Sequence, residues 1–376
     1  MSISNRISAE LKGDRVIWSI IGLLMMLSIL VVYSSTSTLA FRERGGNTEF
    51  YLLKQVIIMS AGVVIMYAAH LIHYRRFSLW SPYLLAAAVP LLMLTLAVGN
   101  EVNGATRWIE VPFIGLTFQT SDFAKIALIT YVARSITSKQ DYIQDFQSAF
   151  LPIIMPIVLV CFLIAPSNLS TALVIFVTCM LMMFIGRVAM KYIFLLMFCG
   201  LIAFAALIVI GNAFPTKVRS STWTERARSF IEDGDGTEQT KLAKMAIARG
   251  GLVGNGPGNS MQKNFLPSAF ADYIYAIIME EYGILGGFVI MALYLLMFMR
   301  VVRLVTKSPK TFPAMLAMGL ILVITIEALA NMAVSVHLVP VTGQPLPLLS
   351  MGGTSLLLTC VAFGMILSVS KFIETE

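Results

Sequence analysis

The sequence is poor in charge. Only 12% of its 376 residues are charged, while 58% are hydrophobic and the mean hydropathy is +0.83. A soluble globular protein does not carry that much apolar surface, but a helical membrane protein does. One crossing takes about 20 apolar residues, so about ten crossings and their loops fit this length. The alternating segments of a membrane β-barrel are missing, and the sequence therefore predicts an all-α polytopic membrane protein.

The sequence also lacks the residue clusters of metal, redox and phosphate sites. Its four cysteines lie in apolar runs without ligand spacing, and its three histidines are scattered. Five glycines lie between positions 250 and 258, but they match neither phosphate-binding fingerprint. The net charge of +7 would fit nucleic acid, yet basic cytoplasmic loops of a membrane protein explain it more simply. We expect no nucleic acid partner.

What the sequence does have is a series of long apolar runs. They predict membrane helices at 16–35, 52–71, 79–98, 122–136, 148–165, 169–186, 191–211, 273–299, 313–334 and 352–370. The first run is about 19 residues long, too long for the apolar part of a signal peptide, and is interpreted as an uncleaved helix. Lys and Arg in the short loops place the N-terminus in the cytoplasm, and an even number of crossings places the C-terminus there too. We expect one integral membrane domain over 1–376, with a large extracytoplasmic loop at 212–271.

The large loop is the only segment outside the apolar runs that is large enough to make a site. Residues 237–249 have the pattern of a short amphipathic helix that would suit a membrane surface. The basic residues of the loop fit either a solvated face or an anion site, and both interpretations stay open. At the end of the loop, Asp272 stands at the head of a membrane-length apolar run. A carboxylate there is costly and needs a partner or a task.

Several motifs follow one another along the chain. They are Asn103-Gly104-Ala105-x-Arg107-Trp108-Ile109, Gln119-x-Ser121-x-x-Ala124-Lys125, Gly250-Gly251-x-x-Gly254-x-Gly256-x-Gly258-x-Ser260-x-Gln262-Lys263-x-x-Leu266-Pro267, Glu280-Glu281-x-Gly283, and Pro340-x-Thr342-Gly343-x-Pro345-Leu346-Pro347-x-x-Ser350-x-Gly352-Gly353-x-Ser355. In this order they resemble the signatures of the SEDS family (shape, elongation, division and sporulation). The resemblance covers nearly the whole chain, and Asp272 falls where the essential aspartate of the family lies.

A few positions depart from the family pattern. Phe270 and Ala271 replace the usual His and Ser or Thr before the aspartate, so the resemblance does not extend to a histidine-assisted proton relay. Asp122 and Asn168 stand where glutamate and aspartate are usual, and Glu327 is near a position that is often glutamine.

The resemblance implies a peptidoglycan glycosyltransferase of the bacterial inner membrane. Such an enzyme polymerises lipid II, a disaccharide-pentapeptide on undecaprenyl pyrophosphate, into β-1,4 glycan strands on the extracytoplasmic side. The implied partner is a class B penicillin-binding protein, a transpeptidase. The last-loop signature favours the division branch (FtsW) over the elongation branch (RodA). A lipid II flippase and a scaffold that recruits the transpeptidase remain alternatives.

Glycan polymerisation defines which residues are candidates for the site. Asp272 would accept the proton of the acceptor hydroxyl. The candidates for substrate binding, chosen largely for the charge of the pyrophosphate, are Arg107, Lys125, Arg226, Arg228, Gln262, Lys263 and Ser350. No residue is assigned to a metal, although a divalent cation could contribute. Glu280 and Glu281 are expected to be buried partners of polar groups on another crossing, for which Glu327 and Asn331 are candidates.

Overall fold

The computed structural model describes residues 12–37, 39, 48–102, 105–111, 116–213, 230, 237–266 and 269–375. A helix fills each predicted crossing. These helices are α1 (Arg15–Ser35), α2 (Thr48–Leu71), α3 (Tyr74–Val98), α4 (Thr120–Ser138), α5 (Leu151–Ile164), α6 (Leu169–Ile185), α7 (Met190–Ala213), α9 (Ile274–Thr306), α10 (Thr311–Ser335) and α11 (Gly353–Thr375), and α8 (Glu238–Gly250) lies in the large loop.

Seven of the helices in the described part of the chain are long and apolar enough to cross a membrane: α1 to α3, α5 with the turn before it, and α9 to α11. Helix α6 and the Met190–Ile202 part of α7 are shorter apolar helices. Helix α4 is more polar, and it is tolerated because α3, α5, α6 and α10 surround it and bury most of its residues. Helix α10 is also central, with most of its residues buried.

A small sheet joins α3 to α4. Strands β1 (Asn100–Val102), β2 (Ala105–Val111) and β3 (Leu116–Gln119) pair antiparallel in that order, with Trp108 opposite Gln119. The hydroxyl of Thr354, in the first turn of α11, donates to Thr117 O at 2.8 Å and accepts from Gln119 N at 3.3 Å. The sheet is therefore attached to the same end of α11 that follows the last loop. The sequence analysis did not predict these strands.

The last loop folds back into the protein. Residues 344–350 form neither helix nor strand, yet all of them except Pro345 are buried. Irregular backbone at membrane depth is tolerated where protein rather than lipid surrounds it. Pro345 and Pro347 have no N–H, which reduces the number of donors that need a partner. Ser28 of α1 donates to Leu349 O at 3.1 Å, and the Tyr294 hydroxyl of α9 donates to Pro347 O.

Helix α9 is broken at Gly283, which has φ +71°. The carbonyls of residues 280 and 281 and the N–H groups of residues 284 and 285 would pair with each other in a regular helix, but here they pair with the glycine-rich loop. The bonds are Asn255 N to Glu280 O (3.0 Å), Gly256 N to Glu281 O (2.9 Å), Ile284 N to Gly251 O (2.9 Å) and Leu285 N to Leu252 O (3.2 Å). We call residues 251–256 and 280–285 together the seam.

The seam explains two of the glycines, because the two backbones are in direct contact. A Cβ on Gly254 would lie 2.2 Å from Glu281 O, and one on Gly283 would lie 2.3 Å from Leu252 O. No L side chain fits at such distances. The glycine-rich stretch, which matched no phosphate fingerprint, thus serves the contact between the large loop and α9.

The amphipathic helix expected at 237–249 is present as α8. Its small residues face α9, and a Cβ on Gly250 would lie 1.9 Å from Met279 O. Lys241 and Met245 are on the exposed side. Helix α8 therefore holds the large loop against the first turns of α9, which follow Asp272 in the sequence.

Candidate functional site

Asp272 lies in a turn whose main chain is hydrogen-bonded to other parts of the fold. The turn precedes α9, which begins at Ile274. Three consecutive carbonyls of this turn accept hydrogen bonds from other parts of the fold. The bonds are Met351 N to Phe270 O (3.0 Å), Ser350 Oγ to Ala271 O (2.6 Å) and Asn331 Nδ2 to Asp272 O (2.8 Å). The main chain on either side of the candidate base therefore has little freedom to move.

The same contacts tie the turn to the last loop and to α10. The Asn331 amide also donates to Gln344 O at 2.7 Å, and the Gln344 side chain donates to the Thr171 hydroxyl at 2.6 Å. Thr171 lies in the first turn of α6, which the Asn168 side chain caps. Four elements that are far apart in sequence thus meet around Asp272.

The Asp272 carboxylate lies at the edge of this assembly. The residue is partly exposed, and its Oδ2 is 3.8 Å from the place where a Cβ on Gly343 would be. Gly343 has φ +63°, so a side chain there would be strained as well as close to the carboxylate. The backbone of the last loop can therefore pass close beside Asp272. Phe270 and Ala271, which replace the usual His and Ser or Thr, contribute main-chain carbonyls to the turn.

A buried ionic cluster lies between α4 and α10. Lys125 Nζ is 2.5 Å from Glu327 Oε1 and 3.3 Å from Asp122 Oδ1, and the three side chains are each less than 10% exposed. We call Asp122, Lys125 and Glu327 the buried triad. Lys125 is therefore paired with two carboxylates inside the protein, and its role in substrate binding stays a prediction. Asp122 Oδ2 is buried and forms no hydrogen bond within the described residues.

A small cavity separates the buried triad from the last loop. Its lining includes all three triad residues and the segment from Gln344 to Leu348 with Ser350. The cavity of about 20 Å³ has room for about one water molecule.

The two adjacent glutamates of α9 bind different partners. Glu281 lies beside Ser34 of α1 and accepts its hydroxyl, which agrees with the prediction of a partner on another crossing. Glu280 instead accepts from the Ser260 hydroxyl and from Met261 N at 3.1 Å, both in the large loop. The prediction was therefore wrong for Glu280. It was also wrong in offering Glu327 and Asn331 as partners of these glutamates.

Among the other predicted substrate-binding residues, those whose side chains the structure describes bind groups within the protein. Gln262 is buried, and its N–H donates to Glu280. Lys263 Nζ donates to Gly258 O at 2.7 Å within the same loop. Arg107 lies on β2, but its side chain is outside the described part of the chain, and so are Arg226 and Arg228. Ser350 is buried and directs its hydroxyl to Ala271 O rather than outwards.

Metal ligands are not concentrated anywhere in the described residues. No group of three or more His, Cys, Asp or Glu side chains in that part could hold a metal ion. Cys179 and Cys360 are buried, Cys161 is partly buried and Cys199 is exposed. Asp272 is a carboxylate close to the last loop, with the Gly343 backbone beside it.

Asn331 and Gln344 were not predicted as residues of the site. Asn331 was considered only as a partner for Glu280 and Glu281, and Gln344 was used only as part of a signature. The available signal was an amide near the C-terminal end of an apolar helix, one turn from the carboxylate of Glu327. Such a group must find partners, but the sequence does not reveal which ones.

The chain matches known proteins over nearly its whole length. A family profile described as the cell cycle proteins FtsW, RodA and SpoVE matches residues 14–375. A probable peptidoglycan glycosyltransferase FtsW of Trichlorobacter lovleyi is 34% identical over 367 residues, which cover 95% of this chain and 93% of the relative. Stage V sporulation protein E of Bacillus subtilis is 32% identical over 359 residues, 93% of this chain and 94% of the relative.

Solved structures share the fold. A chain of a peptidoglycan synthase complex that coordinates polymerization and crosslinking superposes with a TM-score of 0.75 at 22% identity, covering 97% of this chain and 99% of that chain. The rod shape determining protein RodA of Thermus thermophilus superposes with a TM-score of 0.68 at 21% identity, covering 95% and 96%. At these identities the likeness is one of fold.

Proposed function

The chain belongs to the FtsW, RodA and SpoVE family of cell cycle proteins, and on that premise we propose that Asp272 is the general base of its glycosyl transfer. The protein is a peptidoglycan glycosyltransferase, and it is a multi-pass membrane protein. The reaction joins two lipid-linked sugars. Its substrate, by our proposal, is lipid II, with one molecule or growing strand as donor and another as acceptor.

The hydrogen-bonded turn that contains Asp272 is the observation that supports this assignment. The acceptor 4-hydroxyl attacks the anomeric carbon of the donor, its proton passes to the Asp272 carboxylate, and undecaprenyl pyrophosphate leaves with the bonding electrons. A general base has to be fixed within hydrogen-bond reach of the proton that it accepts. Three hydrogen bonds to main-chain carbonyls fix the segment of Asp272, while its side chain stays partly exposed.

The leaving pyrophosphate requires positive charge. Lys263 is the described candidate nearest in sequence to Asp272, and its ammonium would have to exchange Gly258 O for phosphate. Arg226 and Arg228 of the large loop and Arg107 are proposed for the same task. A divalent cation that arrives with the pyrophosphate would serve it equally well.

The cellular role that we propose is septal wall synthesis with a class B penicillin-binding protein. The proposal rests on the last-loop signature around Gln344 and on relatives named FtsW, and the fold is shared with a chain of a complex that couples polymerization to crosslinking. Depletion of the protein should give filamentous cells. Round cells would assign it to elongation instead.

Purified wild-type protein with labelled lipid II tests the activity and the base together. We expect wild type to form glycan polymer and Asp272→Asn to form about 10² to 10⁴ times less, because asparagine cannot accept the proton. If Asp272 merely capped α9, the substitution would be nearly silent, since asparagine also caps well. Asp145→Asn is a matched control, because Asp145 is exposed and accepts from Ser148 N in the turn before α5.

The outcomes separate the alternatives. Abundant polymer from Asp272→Asn would exclude the general base and leave the glycosyltransferase activity standing. Transbilayer movement of lipid II without polymer would favour a flippase. Neither polymer nor movement in the presence of the transpeptidase would favour a scaffold.

A further inference from the structure

We propose that Asn331 is a positioning residue that orients Asp272, because its one amide donates hydrogen bonds to two main-chain carbonyls. This inference rests on the proposed role of Asp272 as the base. Asn331 lies on α10 and is 1% exposed, so its side chain works inside the protein. Its Nδ2 is 2.8 Å from Asp272 O and 2.7 Å from Gln344 O.

The chemistry of the side chain fits this task. A primary amide nitrogen has two N–H donors, so a single atom can serve two carbonyls at once. A flipped amide would place Oδ1 against both carbonyl oxygens, so the two acceptors determine its orientation. A carboxylate of the same shape would offer acceptors where donors are needed.

The position of Asn331 couples the base to the last loop. Gln344 and Gly343 are adjacent, and the Gly343 backbone lies beside the Asp272 carboxylate. The amide therefore sets both the main chain that carries the carboxylate and the main chain that the carboxylate faces. Helix α10 provides a rigid support, because it is mostly buried at the centre of the bundle.

The test compares Asn331→Ala with Ser335→Ala in purified full-length protein and labelled lipid II. Ser335 is a matched control: it is fully buried one turn further on α10, and its hydroxyl donates to Asn331 O rather than to the Asp272 turn. We expect kcat of Asn331→Ala to fall about 10- to 100-fold, as for a reacting group displaced by about 1 Å, with KM within about twofold of wild type. Asn331→Asp should be slower still. Ser335→Ala should keep wild-type kcat.

Coupling to Asp272 distinguishes positioning from general destabilisation. Groups that act as one unit lose activity non-additively. Adding Asn331→Ala to Asp272→Asn should therefore leave the residual rate of Asp272→Asn unchanged, and a further 10-fold drop would contradict the inference. Full activity of Asn331→Ala beside an inactive Asp272→Asn overturns this inference alone. Full activity of Asp272→Asn overturns the proposed base, and the positioning role with it.

A folding failure is also informative. Asn331→Ser retains one donor and removes less side-chain volume than Asn331→Ala. It should purify as a monodisperse protein, with a rate between those of Asn331→Ala and wild type. If neither Asn331→Ser nor Asn331→Ala purifies as a monodisperse protein, Asn331 holds the fold rather than the base, and the positioning role is overturned.

Discussion

Lys125 compensates the negative charge of two carboxylates at the centre of the bundle. It is the ammonium of the buried triad, with Glu327 Oε1 at 2.5 Å and Asp122 Oδ1 at 3.3 Å. Removing one partner of a buried ion pair is far more costly than the pair itself is stabilising, because the remaining charge has lost its compensation. We therefore assign Lys125 to the stability of the α4–α10 contact.

Replacement of Lys125 by methionine should destabilise the protein by about 3–5 kcal/mol, since it leaves two buried carboxylates without a cation. Glu327→Gln should cost much less, because Lys125 then retains Asp122 in a one-to-one pair. Thermal unfolding in detergent micelles measures both. Lys241→Met on the exposed side of α8 is the control, and equal melting temperatures for it and Lys125→Met would contradict this assignment.

At the scale of elements, apolar length predicted the helices well. All ten predicted crossings are helices, and most bounds differ by only a few residues. The largest extension is in α9, which continues past the predicted end at 299 through Arg300 and Arg303 to Thr306. Hydropathy detects where the chain is apolar, whereas a helix can continue into polar surroundings.

The contacts of the loops could not be predicted in the same way. A segment with prolines and glycines reads as a connection, and nothing in its composition tells whether it lies outside or folds inwards. Residues 344–350 fold inwards because Ser28, Tyr294 and Thr171 on three distant helices offer them partners. Asp272 could be singled out because a carboxylate at the head of an apolar run is costly, and this can be read from the sequence alone. The role of Asn331 depends on where other elements place their carbonyls.

The contribution of the seam to the contact between the large loop and α9 can be tested. Gly283→Ala should destabilise the contact between the large loop and α9 by about 1–3 kcal/mol, because its Cβ would meet Leu252 O and the residue has a positive φ. Proteolysis within residues 251–263 and the melting temperature report the effect. Gly22→Ala in α1 is the matched control, since its Cβ meets nothing within 4 Å. Equal protease resistance of the two variants would show that the seam does not hold the loop.

At the scale of the whole molecule, the bundle has a centre and a periphery. Helices α4 and α10 lie at the centre and contain the buried triad and Asn331, while the largely apolar α2, α3 and α5 are more exposed. The polar groups that would be costly in lipid are thereby enclosed by protein. The sequence predicted the composition of this bundle but not its centre, because a short polar helix is interpreted as a weak crossing until its neighbours are known.

The proposed topology has a direct measurement. A reporter fused after Lys371 should be found in the cytoplasm, and one inserted near Gly234, outside the described residues, should be found on the outer side. Basic short loops and an even number of crossings give this result. A C-terminal reporter accessible from outside would contradict the even number and would move the Asp272 turn to the cytoplasmic side.

The inward fold of the last loop has a consequence for the biogenesis of the enzyme. Residues 344–350 bind groups of α1, α6 and α9 and the Asp272 turn, all of which are synthesised earlier. Since domains form from the N-terminus onward during translation, these helices enter the membrane before the segment that joins them exists. If Asp272 is the base as proposed, the nascent chain leaves the translocon without a finished catalytic centre, and glycan synthesis begins only after residues 344–350 have been translated.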